Sequence, residues 1–103
     1  MNYEDINTRV EACVAECDAK VMKIAAEVRE KLVVPLCKKH KFSFITGNGD
    51  FFFTGVRRGK QVRYGDAEDE DTPEYVRCVL RVLDIGVTHA NHLGYYMEGF
   101  DNK

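Results

Sequence analysis

The stretch that decides the fold runs from residue 44 to residue 55 and reads Phe-Ile-Thr-Gly-Asn-Gly-Asp-Phe-Phe-Phe-Thr-Gly. It contains the pair Asn48-Gly49 between apolar residues. That pair is the strongest short-range signal for a β-hairpin, because both positions tolerate positive φ. The sequence therefore predicts two antiparallel strands with a fixed set of facing pairs: Thr46 with Phe51, Ile45 with Phe52, Phe44 with Phe53 and Phe42 with Gly55.

Three consecutive phenylalanines cannot share one face of a strand, because successive side chains point to opposite sides. Alternation predicts a core face that carries four phenylalanines: Phe42, Phe44, Phe51 and Phe53. The opposite face carries the other alternating residues: Ser43, Ile45, Phe52 and Thr54. Ile45 and Phe52 therefore form a second, smaller apolar patch outside the core.

A third strand is predicted after the hairpin. Residues 55–59 (Gly-Val-Arg-Arg-Gly) indicate a turn. Residues 60–64 (Lys-Gln-Val-Arg-Tyr) alternate, with Val62 and Tyr64 on one face and Gln61 and Arg63 on the other. The acidic run 66–71 is predicted to be a loop. A second helix follows, with Thr72 as its N-cap and Pro73 at its first position. A break at Gly86 is an alternative, but the apolar stripe keeps its phase through this glycine and favours one helix. The stripe consists of Val76, Val79, Leu80, Leu83, Val87, Ala90, Leu93 and Met97.

The first helix is predicted over residues 3–34, with Asn2 as its cap and a kink at Pro35. Residues 36–40 then form either a last helical turn or the link to a strand. Its apolar residues recur at spacings of three and four: Ile6, Val10, Cys13, Cys17, Val21, Ile24, Val28 and Leu32. A straight helix of this length measures about 48 Å, whereas a compact domain of this size is about 34 Å across. The helix is therefore expected to bend or to overhang. Because its stripe exceeds what one small sheet covers, we also predict a homodimer formed through the helices.

The order of elements predicts a single α+β domain over residues 1–103, in which a helix, a three-stranded antiparallel meander and a second helix follow one another and the helices cover one sheet face. No run of about 18 apolar residues predicts a membrane span. The acidic N-terminus lacks a signal-peptide core. We therefore expect a cytoplasmic protein whose four cysteines stay reduced.

Two spacings resemble half-sites for zinc, namely Cys37-x-x-His40 and His89-x-x-His92. No second Cys-x-x-Cys pair supports a structural metal site, so a small metal-binding protein is an alternative and no cofactor is predicted. No nucleophile stands beside a local signature for a base, and the glycines at 47–49 lack the lysine and the helix of a phosphate loop. The sequence therefore favours a non-enzymatic protein.

The net charge of −2 conceals two adjacent blocks of opposite sign. Residues 38–64 hold seven bases and one acid, and residues 66–71 hold five acids and no base. The bases on or beside the hairpin, together with Phe52 and Tyr64, predict a nucleic-acid-binding surface as an alternative function. A chain pI near 5.9 argues against a dedicated nucleic-acid binder. The alternative without a binding function is that the bases of the hairpin face the acidic loop and that the two blocks neutralise each other.

The favoured hypothesis is a protein-interaction module that acts as an inhibitor or regulator. In protein interfaces, buried apolar side chains supply much of the binding energy, and surrounding charges guide and orient the approaching partner. The predicted contact residues are the patch, the neighbouring bases and the acidic loop: Ile45, Phe52, Arg57, Arg58, Lys60, Arg63, Asp66, Glu68, Asp69, Glu70 and Asp71. The acidic loop also mimics the charge of phosphates, which suits a phage-type antagonist of host nucleic-acid-directed machinery.

Overall fold

The computed structural model describes residues 2–13, 18–47, 50–87 and 92–97. These ranges share one hydrophobic core. The strands form a three-stranded antiparallel sheet in the order β1-β2-β3, and helices cover one of its faces, so the predicted α+β class is confirmed. The elements in chain order are α1 (Tyr3–Cys13), α2 (Asp18–Val28), a π-helical turn (Arg29–Val33), α3 (Val34–His40), β1 (Ser43–Gly47), β2 (Asp50–Arg57), β3 (Lys60–Tyr64), α4 (Glu74–Leu83) and a 3₁₀ helix (Leu93–Met97).

The strand register is the predicted one. Phe44 lies opposite Phe53, and the predicted pairs Ile45–Phe52 and Thr46–Phe51 are also present. Tyr64 faces Phe53 from the third strand, so it joins the core face, while Arg63 lies on the opposite face. The rings of Phe44 and Phe53 lie 5.0 Å apart and are fully buried. The turn residues Asn48 and Gly49 lie outside the described residues.

The predicted turn over residues 55–59 is wrong in its first half, because β2 continues to Arg57. The turn consists of Arg58 and Gly59, whose φ angles are 54° and 79°. Two positive φ angles in a two-residue loop match the twist of a hairpin. Gly55 is not part of the turn; its lack of a side chain lets the Phe42 ring pack against the strand. A Cβ at this position would lie 2.6 Å from Cδ1 of Phe42. The predicted neighbourhood of Phe42 and Gly55 is thus present, although β1 begins one residue after Phe42.

The single helix predicted over residues 3–34 is wrong, although the expected bend is present. Arg9 in α1 and Glu27 in α2 form an ion pair with 2.7 Å between Nη1 and Oε2. Eighteen residues of straight helix would separate them by about 27 Å, so the chain turns back between the two helices. The cap is confirmed, since the backbone N–H of Asp5 donates to Oδ1 of Asn2 at 2.9 Å.

This reversal removes the argument for a homodimer. The described part of the stripe is buried within one chain, with Ile6, Val10 and Val28 fully inaccessible and Val21 and Ile24 nearly so. No excess of apolar stripe therefore demands a second copy. The dimer stays a prediction, and the predicted burial of the Cys13 and Cys17 side chains lies outside what the structure describes.

The helix continues through Pro35 into α3, so of the two alternatives for Leu36 to His40 the structure has the helical turn. Proline removes a backbone donor and its ring conflicts with the carbonyl four residues earlier. The π-helical turn Arg29–Val33 lies directly before it and accommodates the altered hydrogen-bond spacing. The chain leaves α3 through Lys41, whose φ of 58° ends the helix in the left-handed conformation.

The second helix is shorter than predicted at both ends. It begins at Glu74, and the hydroxyl of Thr72 is buried without a partner among the described residues instead of capping the helix. It ends at Leu83, so the prediction that it continues through Gly86 is wrong. Gly86 forms a β-bridge with His92, and the chain folds back. Leu93 and Met97 reach the core from the 3₁₀ helix, whereas Ala90 lies outside the described residues.

Candidate interaction surface

The sheet has an outer face that is open to solvent. We define this outer face by the residues that alternate away from the core on the three strands: Ser43, Ile45, Asp50, Phe52, Thr54, Val56, Gln61 and Arg63. Val56 is 66% exposed, the highest exposure among the large apolar residues described. Ile45 and Phe52 are half-buried. A solvated sheet face is usually polar, so three apolar residues there are a departure from the ordinary pattern.

Three residues of the outer face form one local cluster around an aromatic ring. The guanidinium carbon of Arg63 lies 4.0 Å from the centroid of the Phe52 ring, within the range of a cation–π contact. The same guanidinium donates to Oδ2 of Asp50 at 3.1 Å. Both charged side chains are largely exposed. The cluster therefore holds a cation over the apolar ring and leaves the charges accessible from solvent.

Sequence reasoning missed Val56 because it assigned this residue to a turn. The signal was available, since the alternation that starts at Phe52 places Thr54 and then Val56 on the same face. The glycine at residue 55 suggested a turn instead. The structure therefore adds Val56 to the face that carries Ile45 and Phe52, with Thr54 between Phe52 and Val56 along β2.

The predicted basic residues do not all lie on the outer face. Arg63 does, whereas Arg57 and Lys60 face each other on the opposite side, at the end of the hairpin. Arg58 occupies the turn. Interaction with the Tyr64 hydroxyl raises the pKa of the Arg57 guanidinium above its ordinary value, and Tyr75 acts in the same direction. The basic block therefore divides between the patch and the hairpin end.

The acidic loop joins β3 to α4. All five of its acids are exposed: Asp66, Glu68, Asp69, Glu70 and Asp71. Two of them fold the loop itself, because Oδ1 of Asp66 accepts from the N–H of Glu68 at 2.8 Å and Oδ1 of Asp69 accepts from the N–H of Asp71 at 2.9 Å. Across residues 38–64 and 66–71 as far as the structure describes them, no ion pair joins the two blocks, so the interpretation of mutual neutralisation is not supported.

The loop instead borders a groove on the helical side. Tyr3, Glu68, Arg81 and Asp84 line this groove, which has a volume of about 270 Å³. Desolvation raises the pKa of Asp84; His92 opposes the shift, and the charges of Asp66 and Glu68 add to it. Glu68 therefore faces this groove, although Gly65, directly before the loop, still lies beside the patch: a Cβ there would be 3.3 Å from Cβ of Phe52.

The predicted metal candidates are not brought together where the structure describes them. Cys37 is buried in the core, while the His40 ring stacks on Tyr75. His92 pairs with Gly86, and His89 lies outside the described residues. Within residues 2–13, 18–47, 50–87 and 92–97, no group of three or more His, Cys, Asp or Glu side chains is placed to hold a metal ion.

A stack of three rings, which sequence reasoning also missed, joins the end of α3 to the start of α4. The rings of Phe42 and His40 are 6.0 Å apart with 28° between their planes, and those of His40 and Tyr75 are 4.0 Å apart with 15°. Phe42 is buried, His40 is half-buried and Tyr75 is 39% exposed. The stack therefore runs from the core to the surface.

Comparisons with protein-family models, with curated proteins and with solved structures found no match for this chain. No described helix combines the length and the apolar character that a bilayer span requires.

Proposed function

We propose that this protein is a non-enzymatic interaction module that docks through the outer face of its sheet onto another protein and acts as an inhibitor or regulator. The observation that carries this proposal is the exposure of Val56 on the same sheet face as Ile45 and Phe52, while the opposite face already forms the core. Burying such a patch against a partner gains free energy in proportion to the apolar area removed from water.

The charges beside the patch favour a partner surface with an acidic rim. Arg63 lies over Phe52 on the outer face, and Arg58 projects from the turn that follows Val56 and Arg57. Asp50 is the acid of this face and is already engaged by Arg63. A partner carboxylate that replaces Asp50 at Arg63 would keep the guanidinium paired while the Phe52 ring becomes covered, which gives orientation as well as affinity.

The acidic loop supplies a separate contact for a basic surface. Its five exposed acids lie outside the basic block, so their charge is available to a partner. This supports the narrower proposal of an antagonist that mimics phosphate charge against nucleic-acid-directed machinery of a host. In this case the loop, and not the outer face, would carry the binding.

Site-specific photo-crosslinking in the native host tests the proposal. A photoreactive amino acid replaces Val56, and a matched control places it at Met22, which is 55% exposed on α2. We expect a discrete crosslinked protein from position 56 that is absent from position 22. The same crosslink should be lost when Phe52 is changed to Asp. If the same proteins are crosslinked from position 56 and from position 22, the outer face has no specific docking role and the proposal is contradicted.

Neutralisation of the acidic loop separates the two contact surfaces. A variant with Asp69→Asn, Glu70→Gln and Asp71→Asn leaves the outer face unchanged. If the crosslink from position 56 persists in this variant, the outer face carries the interaction. If the crosslink is lost in this variant and retained in Phe52→Asp, the phosphate-mimicking loop carries it and the proposal for the outer face is wrong.

A further inference from the structure

We propose that the protein has a second binding surface, at the end of the β2–β3 hairpin, that takes single-stranded nucleic acid. A base would stack on Tyr75, and phosphates would lie along the neighbouring cations. We name this the hairpin-end surface and define it by the residues that form it: His40, Lys41, Arg57, Arg58, Lys60 and Tyr75. It goes beyond the proposed function, because none of these residues belongs to the outer face.

The ring stack provides the platform for a base. The His40 ring contacts both the buried Phe42 ring and the Tyr75 ring, and these contacts restrain the orientation of its plane. Tyr75 is 39% exposed, and His40 is its one ring partner among the described residues. Stacking of bases on aromatic side chains tolerates any sequence, because every base has a π-face. A base on Tyr75 would continue an existing stack.

The cations come from two segments that the fold brings to the same end of the sheet. The backbone carbonyl of Lys41 lies 3.2 Å from the position of a Cβ on Gly55, so the end of α3 packs beside β2. Two residues further along β2, Arg57 faces Lys60 across the turn. Tyr64 and Tyr75 both raise the pKa of Arg57, in keeping with a guanidinium close to these rings. Positive charge therefore lies beside the platform.

Two acids close to this surface in sequence, Asp50 and Glu74, are already engaged. Residues 38–64 contain one acid, Asp50, and its carboxylate pairs with Arg63. Glu74 precedes Tyr75, but its carboxylate lies 3.2 Å from Arg81 and 3.7 Å from Arg77 along the helix. Residues 38–64 therefore carry a surplus of cations, seven bases against one acid. The exposed acids of the loop 66–71 form no ion pair with these bases among the described residues. A local basic patch with an aromatic ring is the footprint of a single-strand binder.

A single strand fits this surface better than a duplex. In a duplex the bases are stacked on one another inside the helix, so the face of a ring such as Tyr75 is out of their reach. The unpaired bases of a single strand reach it directly. The rings that the sequence suggested for this role do not serve it, since Tyr64 is 7% exposed and Arg63 lies over Phe52.

Fluorescence anisotropy with a labelled oligothymidine of about 12 nucleotides tests the proposal. We expect binding at low salt that weakens as salt rises, with a slope of about −0.7 for each phosphate contact. Tyr75→Ala should weaken binding by about 5- to 100-fold, while Tyr75→Phe, which keeps the ring, should stay within about 2-fold. Tyr3→Ala removes an exposed tyrosine from α1 and should have no effect.

The contribution of the cations is measured separately. Lys60→Ala and Arg58→Asn, of which the second keeps a residue that tolerates positive φ, should each reduce the salt slope by about 0.7. A duplex of the same length and heparin serve as competitors, and circular dichroism verifies that each variant is folded. If Tyr75→Ala binds like the wild type, or if duplex and heparin compete as well as the single strand, the proposal is wrong. Absence of binding at low salt overturns it as well.

Discussion

The guanidinium of Arg63 lies over the ring of Phe52, 4.0 Å from its centroid. The sheet face that carries this pair is the one without a core, so the cation and not a neighbouring helix covers the ring. A partner that buries Phe52 must move or cover Arg63, whereas Val56 on the same face is reached directly. For the proposed docking, Val56 is therefore accessible without displacement of Arg63, whereas Phe52 is not.

The two faces of the sheet should differ strongly in their effect on stability. Phe53 is fully buried against Phe44, so Phe53→Ala should lower the free energy of unfolding by about 3–5 kcal/mol. Phe52→Ala removes a half-buried ring and should cost clearly less. Urea unfolding of both variants measures the difference. Equal losses would show that the Phe52 ring is packed as deeply as the Phe53 ring.

The hairpin could be predicted from the sequence because its determinants are local. The Asn48-Gly49 pair and the strict alternation of Phe51, Phe52 and Phe53 fix both the pairing and the faces within a few residues. Helix boundaries depend on tertiary packing instead. A stripe such as Ile6, Val10 and Val21 has the same spacing whether the helix is straight or folded back, so periodicity alone could not distinguish the two.

The candidate surfaces were only partly predictable for the same reason. Ile45 and Phe52 follow from alternation within one hairpin. The stack of His40 on Tyr75 joins residues that are distant in the sequence, and no local pattern connects them. Gly55 misled the prediction, because a glycine that signals a turn and a glycine that admits a neighbouring ring look alike in a sequence.

Gly55 itself provides the test of that distinction. Gly55→Ala places a methyl group 2.6 Å from Cδ1 of Phe42, whose ring is held in the core, and should cost about 1–3 kcal/mol through overpacking. Gly86→Ala is the matched control, because a Cβ there meets nothing within 4 Å. We expect it to change stability by less than about 1 kcal/mol. Thermal and urea unfolding of both variants supply the comparison, and a neutral Gly55→Ala would contradict the close packing of Phe42.

The reversal of the chain between α1 and α2 is testable through Arg9 and Glu27. Arg9→Glu and Glu27→Arg should each destabilise by placing like charges together, and the double variant should recover stability by restoring an ion pair. In a straight helix the two side chains would lie about 27 Å apart, well beyond the screening length of about 10 Å, and the changes would simply add. Urea unfolding of the four proteins gives the coupling. Arg9→Glu combined with Glu30→Arg is the control that should show none.

The same cycle should depend on pH in a direction set by the ion pair. The hydrogen bond from Arg9 lowers the pKa of Glu27 in the folded protein. The pair therefore contributes its full stabilisation above the unfolded pKa of the carboxylate, and the contribution disappears as the pH falls through the lowered folded pKa. We expect a coupling between Arg9 and Glu27 at neutral pH that declines once the pH is taken below about 4, the ordinary pKa of a glutamate. A coupling that is absent at neutral pH, or that grows in acid, would show that α2 does not lie against α1.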